Sequence, residues 1–396
     1  MTTARYNHRV IDVVVVGGGP AGLLAATRLA QSGIDVQLFE EHPEIGEPTH
    51  CTGILSLEST EYVKIPDDLV LGRLVRARLI GPAGGHADYA WRGQGNEAVV
   101  VIDRAAFDRD LARQAVNAGA TLSVRSRVTD MTIDGDGVNV HTAAGTTRAR
   151  ACVLACGVSY RFQRLLGLGL PGHAIHTAQV EVDAFPSETV EIRFGRTVAP
   201  SGFAWTVPIS RPGRCRLKAG VLATGDAGAH LRGFLERPDV RRRITGPTPP
   251  PIRRLLPLRP IAKTFAERVL VVGDAGGFTK PTTGGGIFYS LLTASLAAET
   301  LVEGFSAGRL DEGFMARYER RWQERLGSEL WVGDWLRQLV TRCVDEEIDL
   351  LVRALASDAV GTLVRTTARF NWHRDLILAL ARHRGIAALL FRTLFR

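Results

Sequence analysis

The chain has 396 residues, 45% of them hydrophobic and 23% charged, which suffices for two packed domains or one large domain with an insertion. This composition excludes fibrous and disordered proteins, and five Cys without CxxC spacing exclude a disulfide scaffold and favour the cell interior. The net charge of +8 includes Arg-rich blocks at residues 232–259 and 365–396 without regularly spaced aromatic residues, so we expect phosphates or lipid head groups, and no nucleic acid, as partners.

The N-terminal segment predicts a βαβ unit. Residues 10–16 are a β-branched run that is typical of a parallel strand buried on both faces, and the run ends at three glycines. Pro20 and Ala21 open an apolar helical pattern that closes at Ser32, and residues 36–39 form a second strand.

A GxGxxG motif joins the first strand to the helix. Gly17 permits the tight turn, Gly19 lets a pyrophosphate approach the backbone, and Gly22 lets the helix pack closely on the strand. The second strand ends in Glu40 and Glu41, and Glu40 is placed to accept hydrogen bonds from ribose hydroxyls. A glycine-rich turn in any doubly wound sheet is the alternative, but strand, helix and acid together predict a dinucleotide site.

The middle of the chain changes in pattern. Another buried strand at residues 99–102 precedes a helix at about 105–117, and short alternating segments between about 170 and 223 predict half-buried antiparallel strands. The buried-strand pattern returns at residues 269–272 and a long helix follows at 284–301. We therefore expect the first sheet to be re-entered after an insertion.

A second glycine-rich turn follows the strand at residues 269–272. A carboxylate at a strand end, here Asp274, suits the ribityl hydroxyls of a flavin. The glycines Gly284, Gly285 and Gly286 let backbone amides at the helix start, near Ile287, face the pyrimidine edge of the ring. The alternative is that Asp274 only caps the next helix. With the N-terminal motif, the pattern predicts FAD rather than NAD.

Several motifs carry a resemblance to known proteins. GxGxxG, then VIDRAAFDRDL at residues 101–111 and GDAGGFTKPTTGGGI at 273–287, resembles flavoproteins of the p-hydroxybenzoate hydroxylase fold. EPTHCTG at 47–53, FAWTVP at 203–208 and the KPTTGGGI part of the last segment resemble the geranylgeranyl reductase family. That family binds FAD and saturates isolated carbon–carbon double bonds in the polyprenyl chains of lipids, chlorophyll precursors or quinones.

The resemblance implies roles for individual residues. The family's aromatic motif, which lines the substrate cavity, maps onto Phe203, Trp205 and Pro208. The residue that meets the FAD diphosphate is Arg104, and the cysteine-bearing loop maps onto Cys51.

Two candidate site residues each have a second, structural interpretation. Cys51 is either an acid or cavity wall, which needs a positive group nearby to be reactive, or a small buried hydrophobe. Tyr289, on the first turns of the helix after the glycines, is a further cavity candidate, with the core as its alternative. Hydroxylases usually have Asp where Cys156 stands and His where Gly277 stands, which speaks against NADPH-driven hydroxylation.

The predicted architecture is an α/β fold. A three-layer, Rossmann-like FAD-binding domain comprises residues 9–170 and 255–330, an inserted antiparallel substrate-binding domain comprises 171–254, and a helical C-terminal region comprises 331–396. The longest uncharged stretch, residues 281–298, begins with Pro, Thr and Gly, so we expect no transmembrane helix.

The predicted function is FAD-dependent reduction of carbon–carbon double bonds in a prenyl lipid or quinone, with NADPH, ferredoxin or another electron donor. A monooxygenase or halogenase of the same fold, and a non-catalytic flavin electron carrier, are the alternatives. The His residues do not cluster at ligand spacing, so we expect no metal.

The C-terminal region also bears on localisation, which we expect to be cytoplasmic. The sequence places Leu376, Leu380, Phe391 and Leu394 on one side of a terminal helix, with Ile386 on the polar side. This pattern predicts either packing on the protein's own core or a peripheral contact with the anionic inner face of a membrane.

Overall fold

The computed structural model describes residues 10–91 and 98–394, with side chains as far as residue 390. Its strands are β1 (Ile11–Val16), β2 (Val36–Phe39), β3 (Ile54–Ser56), β4 (Val70–Arg73), β5 (Arg76–Ile80), β6 (His86–Ala90), β7 (Val99–Ile102), β8 (Thr121–Ser123), β9 (Val128–Asp134), β10 (Gly137–Thr142), β11 (Gly145–Leu154), β12 (Ala174–Asp183), β13 (Thr189–Arg193), β14 (Phe203–Arg211), β15 (Arg214–Ala223), β16 (Ile252–Pro257), β17 (Phe265–Ala266) and β18 (Val269–Val271). Its helices are α1 (Pro20–Gln31), α2 (Arg104–Asn117), α3 (Arg161–Leu165), α4 (Ala227–Leu235), α5 (Pro238–Arg241), α6 (Ile287–Ala307), α7 (Glu312–Arg342), α8 (Asp345–Leu355), α9 (Asp358–Thr367), α10 (Arg374–Arg382) and α11 (Arg384–Leu394).

The first sheet has a parallel centre. Strands β18, β11, β1, β2 and β8 lie side by side in this order, β17 pairs antiparallel with β18, and the β9–β10 hairpin pairs with β11. Helices α1, α2 and α6 cover one face through Leu23, Phe107 and Leu291, and the hairpin covers the other through Met131 and Val140. This arrangement confirms the predicted α/β class. It also brings the turns after β1, β2 and β18 to one edge of the sheet, because the carboxyl ends of parallel strands share an edge.

The second sheet has seven strands in the order β16-β12-β15-β14-β13-β5-β6. All pairs are antiparallel except β13 with β5, whose register runs from Thr189 opposite Arg76 to Arg193 opposite Ile80. The predicted antiparallel unit began only at residue 171, so β5 and β6 extend the sheet beyond it. Local sequence pattern could not show this, because a parallel pair between strands so far apart in the chain leaves no turn signal. The division of the chain into domains stays a prediction.

A small third sheet, β3-β7-β4, joins the two large ones. β7 is buried along its whole length, and Val101 on it packs with Val190, Val207 and Ile209 of the second sheet. Because β7 leads directly into α2, this contact fixes α2 of the first sheet against β13 and β14 of the second.

The C-terminal region is helical, as predicted, and packs on the body of the protein. Ile386 and Leu390 are buried against Leu339 and Val360, so Ile386 lies in an apolar cluster among the C-terminal helices and not on a polar face. Leu380 packs at the edge of the same cluster, whereas the side chains of Phe391 and Leu394 lie outside the described residues. Within residues 10–91 and 98–394, no helix combines the length and apolar character needed to cross a bilayer.

Candidate active site

The turn after β1 has the geometry that a dinucleotide-binding turn requires. Gly17 adopts a φ of +111°, and a Cβ on it would collide with the carbonyl oxygen of Ala155. A Cβ on Gly22 would collide with the carbonyl oxygen of Gly17, so this glycine allows α1 to pack on the turn. Around Gly19, the N-cap of α1, the space is open to 4 Å, and Pro20 begins the helix. An anion can therefore approach the N–H groups at the start of α1.

Glu40 is held beside this turn. Its Oε2 accepts a hydrogen bond from the backbone N–H of Gly18 at 2.6 Å, and its Oε1 lies 2.9 Å from the backbone nitrogen of His42, which donates to it. The carboxylate is thus fixed at the carboxyl end of β2. Glu41, by contrast, forms an exposed ion pair with Arg127 at 3.2 Å and is not brought to the turn.

The turn after β18 contacts the turn after β1. Gly273 adopts a φ of +60°, and a Cβ on it would lie 3.0 Å from the Cβ of Ala21. The next residue, Asp274, points its carboxylate toward the start of α6, because a Cβ on Gly286 would lie 3.0 Å from its Oδ1. The structure shows no side-chain cap on α6, whose first residue is Ile287, so Asp274 is not that helix's cap.

Two guanidinium groups act on this carboxylate. Removal from solvent raises the pKa of Asp274, whereas the charges of Arg104 and Arg254 oppose that shift. Arg104 is the first residue of α2, and its Nε and Nη2 donate to the Asp108 carboxylate at 2.8 and 2.9 Å. The charge of Arg104 also interacts with Cys51, so it couples the Asp274 turn to the cysteine loop.

Cys51 lies half-buried in a loop that several hydrogen bonds fix. The backbone N–H of Gly53 donates to the Cys51 sulfur at 3.3 Å, and the Thr52 hydroxyl donates to the side-chain oxygen of Gln179 on β12 at 3.1 Å. The ammonium of Lys218 donates to the Thr52 carbonyl oxygen at 2.8 Å. The second sheet therefore holds the cysteine loop at two points.

Lys218 is a functional candidate that the sequence analysis missed. It is only 5% exposed and lies on β15 opposite Val207. Burial lowers its pKa, although the charges of Glu181 and of Cys51 oppose the shift. The signal was present in the sequence, because a Lys in the middle of an apolar strand is rarely buried without a partner.

The aromatic candidates lie on the same face of this sheet. The Trp205 ring stacks over Gly220, where a Cβ would collide with it, and its centroid lies 5.8 Å from that of Phe203. Both rings pack against Ile175 and Leu222. The Trp205 Nε1 is buried without a hydrogen-bond partner among the described residues.

The glycine loop before α6 touches this apolar cluster. A Cβ on Gly284 would lie 2.6 Å from Leu256 and 3.2 Å from Leu222, both of which pack with the two aromatic rings. The structure therefore brings the second glycine-rich turn and the aromatic cluster together, from segments about 80 residues apart.

Two predicted cavity residues lie elsewhere. Pro208 pairs with Leu217, which belongs to the cluster under α4, so Pro208 lies on the sheet face opposite Trp205. Tyr289 is buried in the core, where its hydroxyl donates to the carbonyl oxygen of Asn371 at 3.1 Å and its ring packs against Trp372.

A buried polar cluster fastens the C-terminal region to the site. Lys280, at the start of the glycine loop, donates to the Asn371 Oδ1 at 3.0 Å and to the Phe370 carbonyl oxygen at 2.9 Å. The Asn371 Nδ2 donates to the hydroxyl of Ser56 and to the carboxylate of Glu58, both at 2.7 Å. The segment after α9 thus joins the glycine loop to β3, the strand that follows the cysteine loop. Asn371 is about 90 residues from Lys280 and 315 residues from Ser56 in the sequence, so no local pattern reveals these contacts.

Lys280→Met is expected to flatten the pH dependence of stability. Burial lowers the pKa of Lys280 to about 7 from its ordinary 10.5, so between these values the unfolded chain binds more protons than the folded protein. The free energy of unfolding then rises with pH in that window, by about 2 to 3 kcal/mol from pH 7 to pH 9. Urea unfolding at both pH values measures the rise, with Lys263→Met as the control. Parallel curves for wild type and Lys280→Met would contradict the assignment.

The chain resembles known proteins in sequence and in fold. A family model described as an NAD(P)-binding Rossmann-like domain matches residues 15–51, which contain the first glycine-rich turn. A geranylgeranyl bacteriochlorophyll reductase-like protein from Thermoplasma acidophilum superposes with a TM-score of 0.83 at 22% identity, over 97% of this chain and 99% of that one. The halogenase PltM in complex with phloroglucinol and FAD superposes with a TM-score of 0.66 at 16% identity, over 96% and 90%, which shows a shared fold.

The comparison of sequences identifies the family of the chain, whereas the comparison of structures identifies only its fold. The digeranylgeranylglycerophospholipid reductase 2 of Methanothermobacter thermautotrophicus is 32% identical over 373 residues, which cover 89% of this chain and 93% of the relative. The resemblance seen in the sequence is confirmed, and the chain belongs to the geranylgeranyl reductase family of oxidoreductases.

Proposed function

We propose that the protein binds FAD and reduces carbon–carbon double bonds in the geranylgeranyl-type chains of a lipid. The observation that carries this proposal is the contact between the glycine loop at Gly284 and the apolar cluster around Trp205. It sets an apolar wall directly beside the predicted flavin turn. The relative from Methanothermobacter is named for a geranylgeranyl glycerophospholipid, which favours a prenyl lipid over a quinone.

The two turns suit the two halves of FAD. The open position at Gly19 and the fixed carboxylate of Glu40 would hold the pyrophosphate and the adenosine ribose. Asp274 would hold the ribityl chain, and the amides from Gly284 to Ile287 would face the flavin ring. Arg104 would add positive charge on the diphosphate side, in addition to its pairing with Asp108. When bound and reduced, FAD supplies a hydride.

We assign the proton to the Cys51 thiol. The reduction adds a hydride to one alkene carbon and a proton to the other, and the S–H bond of Cys51 is the proton source. Lys218 and Arg104 both interact with Cys51 and are the positive groups that a reactive cysteine requires nearby. A proton from solvent then restores the thiol.

The apolar surroundings of the site are the other contribution to catalysis. An isolated alkene has no carbonyl group to take up negative charge, so positioning and exclusion of water have to lower the barrier. The rings of Phe203 and Trp205, packed on Ile175 and Leu222, supply a wall that can align a prenyl chain.

The direct test is turnover of defined lipids. Protein reduced with dithionite is incubated with a digeranylgeranyl glycerophospholipid and with a prenyl quinone, and mass spectrometry follows gains of two hydrogens. Gains on the phospholipid support the proposal. Protein that binds no added FAD, or that leaves every lipid unchanged, refutes it, and oxygen uptake with NADPH would point to a monooxygenase.

Trp205→Ala is expected to keep FAD but to lower kcat/KM for the prenyl lipid by roughly 10- to 100-fold. Loss of the indole removes apolar burial of about 1.5 to 3 kcal/mol, which corresponds to that factor. The measurement is alkene reduction at equal flavin content, read from the absorbance of the bound flavin. Trp331→Ala is the matched control, since Trp331 is 70% exposed on α7. If FAD is lost together with activity, Trp205 is a core residue.

A peripheral contact with the bilayer fits a substrate of this kind. A prenyl phospholipid is drawn from a membrane, and exposed Arg near an anionic surface contributes about 1 kcal/mol each. We propose that the Arg-rich helices α10 and α11 make this contact, although Ile386 and Leu390 hold α11 on the protein. Binding to anionic vesicles is then expected to fall as salt rises.

A further inference from the structure

The second sheet carries a cavity on the face away from the aromatic cluster. Ile192 pairs with Trp205 in the register of β13 and β14, so the alternating residues Glu191 and Arg193 point to the opposite face. There they line a cavity of about 340 Å³, between β5, β13 and the segment around α5. This volume lies at the lower end of the range of about 300 to 1,000 Å³ for small-molecule sites. The cavity is therefore separate from the proposed prenyl site.

Positive charge dominates the cavity wall. Five guanidinium groups line it against two carboxylates, those of Glu191 and Asp239. The five Arg residues are Arg78, Arg193, Arg237, Arg242 and Arg243.

The carboxylates neutralise only part of this charge. Asp239 forms an ion pair with Arg193, and Glu191 accepts a hydrogen bond from the Arg243 Nη1 at 2.6 Å. The Arg237 Nε lies 3.6 Å from Asp239, beyond hydrogen-bond reach. Arg78 is held by Asp88 at 2.7 and 2.8 Å, so three acids hold three of the five guanidinium groups, and Arg237 has only the longer pair with Asp239.

Two N–H groups of the residues that line the cavity lack a hydrogen-bond acceptor among the described residues. The Arg237 Nε and the Arg243 Nη2 are buried, and neither has a hydrogen-bond acceptor among the described residues. Buried N–H groups are normally paired, and leaving them unpaired is unfavourable. Burial lowers the pKa of Arg193, and the neighbouring charge of Arg237 adds to that shift while Asp239 opposes it. An anion in the cavity would add negative charge beside Arg193 and Arg237 and relieve the repulsion between them.

We propose that this cavity is a second binding site, for a phosphate-type dianion that accepts hydrogen bonds from Arg237 and Arg243. Guanidinium groups recognise phosphate through forked, charge-assisted hydrogen bonds, and several of them around one cavity suit a group with acceptors on all sides better than a single carboxylate. The ligand is either free phosphate or the phosphomonoester head group of a lipid, because both present the same oxygens.

The test uses the full chain saturated with FAD, so that the proposed cofactor site is filled. Isothermal titration with inorganic phosphate and with pyrophosphate measures the free anion. Co-sedimentation with vesicles of phosphatidylcholine, with and without phosphatidic acid, measures the head group. The variants are Arg243→Gln and the milder Arg237→Gln, whose partner lies farther away. Arg214→Gln, at an exposed position on the same sheet, removes the same charge and is the control.

We expect both cavity variants to weaken binding about tenfold or more, and the control to bind as wild type does. Loss in the titration assigns the site to the free anion, and loss confined to phosphatidic acid vesicles assigns it to the head group. Either result supports the site. If no anion binds, or if Arg237→Gln and Arg214→Gln weaken binding equally, the site is refuted. FAD content and alkene reduction are separate measurements, so this failure would leave the proposed function intact.

Discussion

Cys51→Ala is expected to lower the rate of alkene reduction by about 10² to 10⁴, the usual range for loss of a general acid, without loss of FAD. Of the groups proposed to hold the dinucleotide, Arg104 interacts with the thiol through charge and a side-chain hydrogen bond, and the pairing of Arg104 with Asp108 does not depend on the sulfur. Single-turnover reduction of a prenyl lipid at equal flavin content measures the effect. Cys215→Ala, at another half-buried cysteine, is the control.

Lys218 is expected to act through Cys51, as a positioning residue. Lys218→Met should cost about tenfold to a hundredfold in kcat, because one charge beside the thiolate and one hydrogen bond to the Thr52 carbonyl oxygen are lost. Lys218→Arg should recover most of the rate, since the charge is retained.

The pH profile separates charge from packing. Burial lowers the pKa of Lys218, with Glu181, Cys51 and Asp103 opposing the shift and Arg211 adding to it. As pH rises, Lys218 therefore loses its charge at a pH below the ordinary lysine pKa of 10.5. The wild-type rate should fall on the alkaline side for this reason. Lys218→Arg should remove the part of this fall that comes from the loss of the Lys218 charge. Iodoacetamide alkylation of Cys51 across the same pH range gives a readout that does not depend on turnover.

The outcomes are distinct. If Cys51→Ala keeps the wild-type rate, water supplies the proton and Lys218 has no catalytic partner. If Lys218→Met loses FAD or unfolds at lower urea concentrations than Lys263→Met, its role is to hold the loop. A rate loss in both Lys218 variants with an unchanged alkylation profile leads to the same conclusion.

The sequence predicted the parts of the site that are local in the chain. Gly17 and Gly22 are needed for steric reasons at one turn, and the buried strand β1 before it and the helix α1 after it mark that turn. Asp274 is equally visible, because it lies three residues after the end of the short buried strand β18. Each of these residues is identified by the residues next to it in the sequence, so its position in the structure can be predicted from local sequence alone.

The rest depends on contacts between distant segments. Asn371 and Lys280 meet only because the C-terminal helices fold back on the glycine loop, and Lys218 reaches the cysteine loop only across two sheets. The misplacement of Pro208 has a different cause. Trp205 and Pro208 both lie on the regular strand β14, and residues three apart on a strand point to opposite faces of the sheet. The two side chains therefore cannot line the same cavity, although the family motif contains both.

Gly19→Val is expected to lower the affinity for FAD by at least about 100-fold, or about 2.7 kcal/mol, while the fold remains intact. Gly19 has a φ of −80° and a ψ of 177°, which any residue adopts, and the surrounding space is open to 4 Å. A side chain therefore fits in the protein alone but occupies the approach of the pyrophosphate to the start of α1. The lost contacts are charge-assisted hydrogen bonds of about 1.5 to 3 kcal/mol each.

Fluorescence titration of flavin-free protein with FAD measures the affinity, and urea unfolding without FAD measures the stability, which should change by less than about 1 kcal/mol for an altered N-cap. Gly233→Val is the matched control, at an equally open glycine on α4. Gly22→Val gives the opposite pattern, because its side chain would collide with the Gly17 carbonyl oxygen and destabilise the protein even without cofactor. If Gly19→Val binds FAD as tightly as wild type, the pyrophosphate does not lie at this turn, and the assignment of the two halves of FAD is wrong.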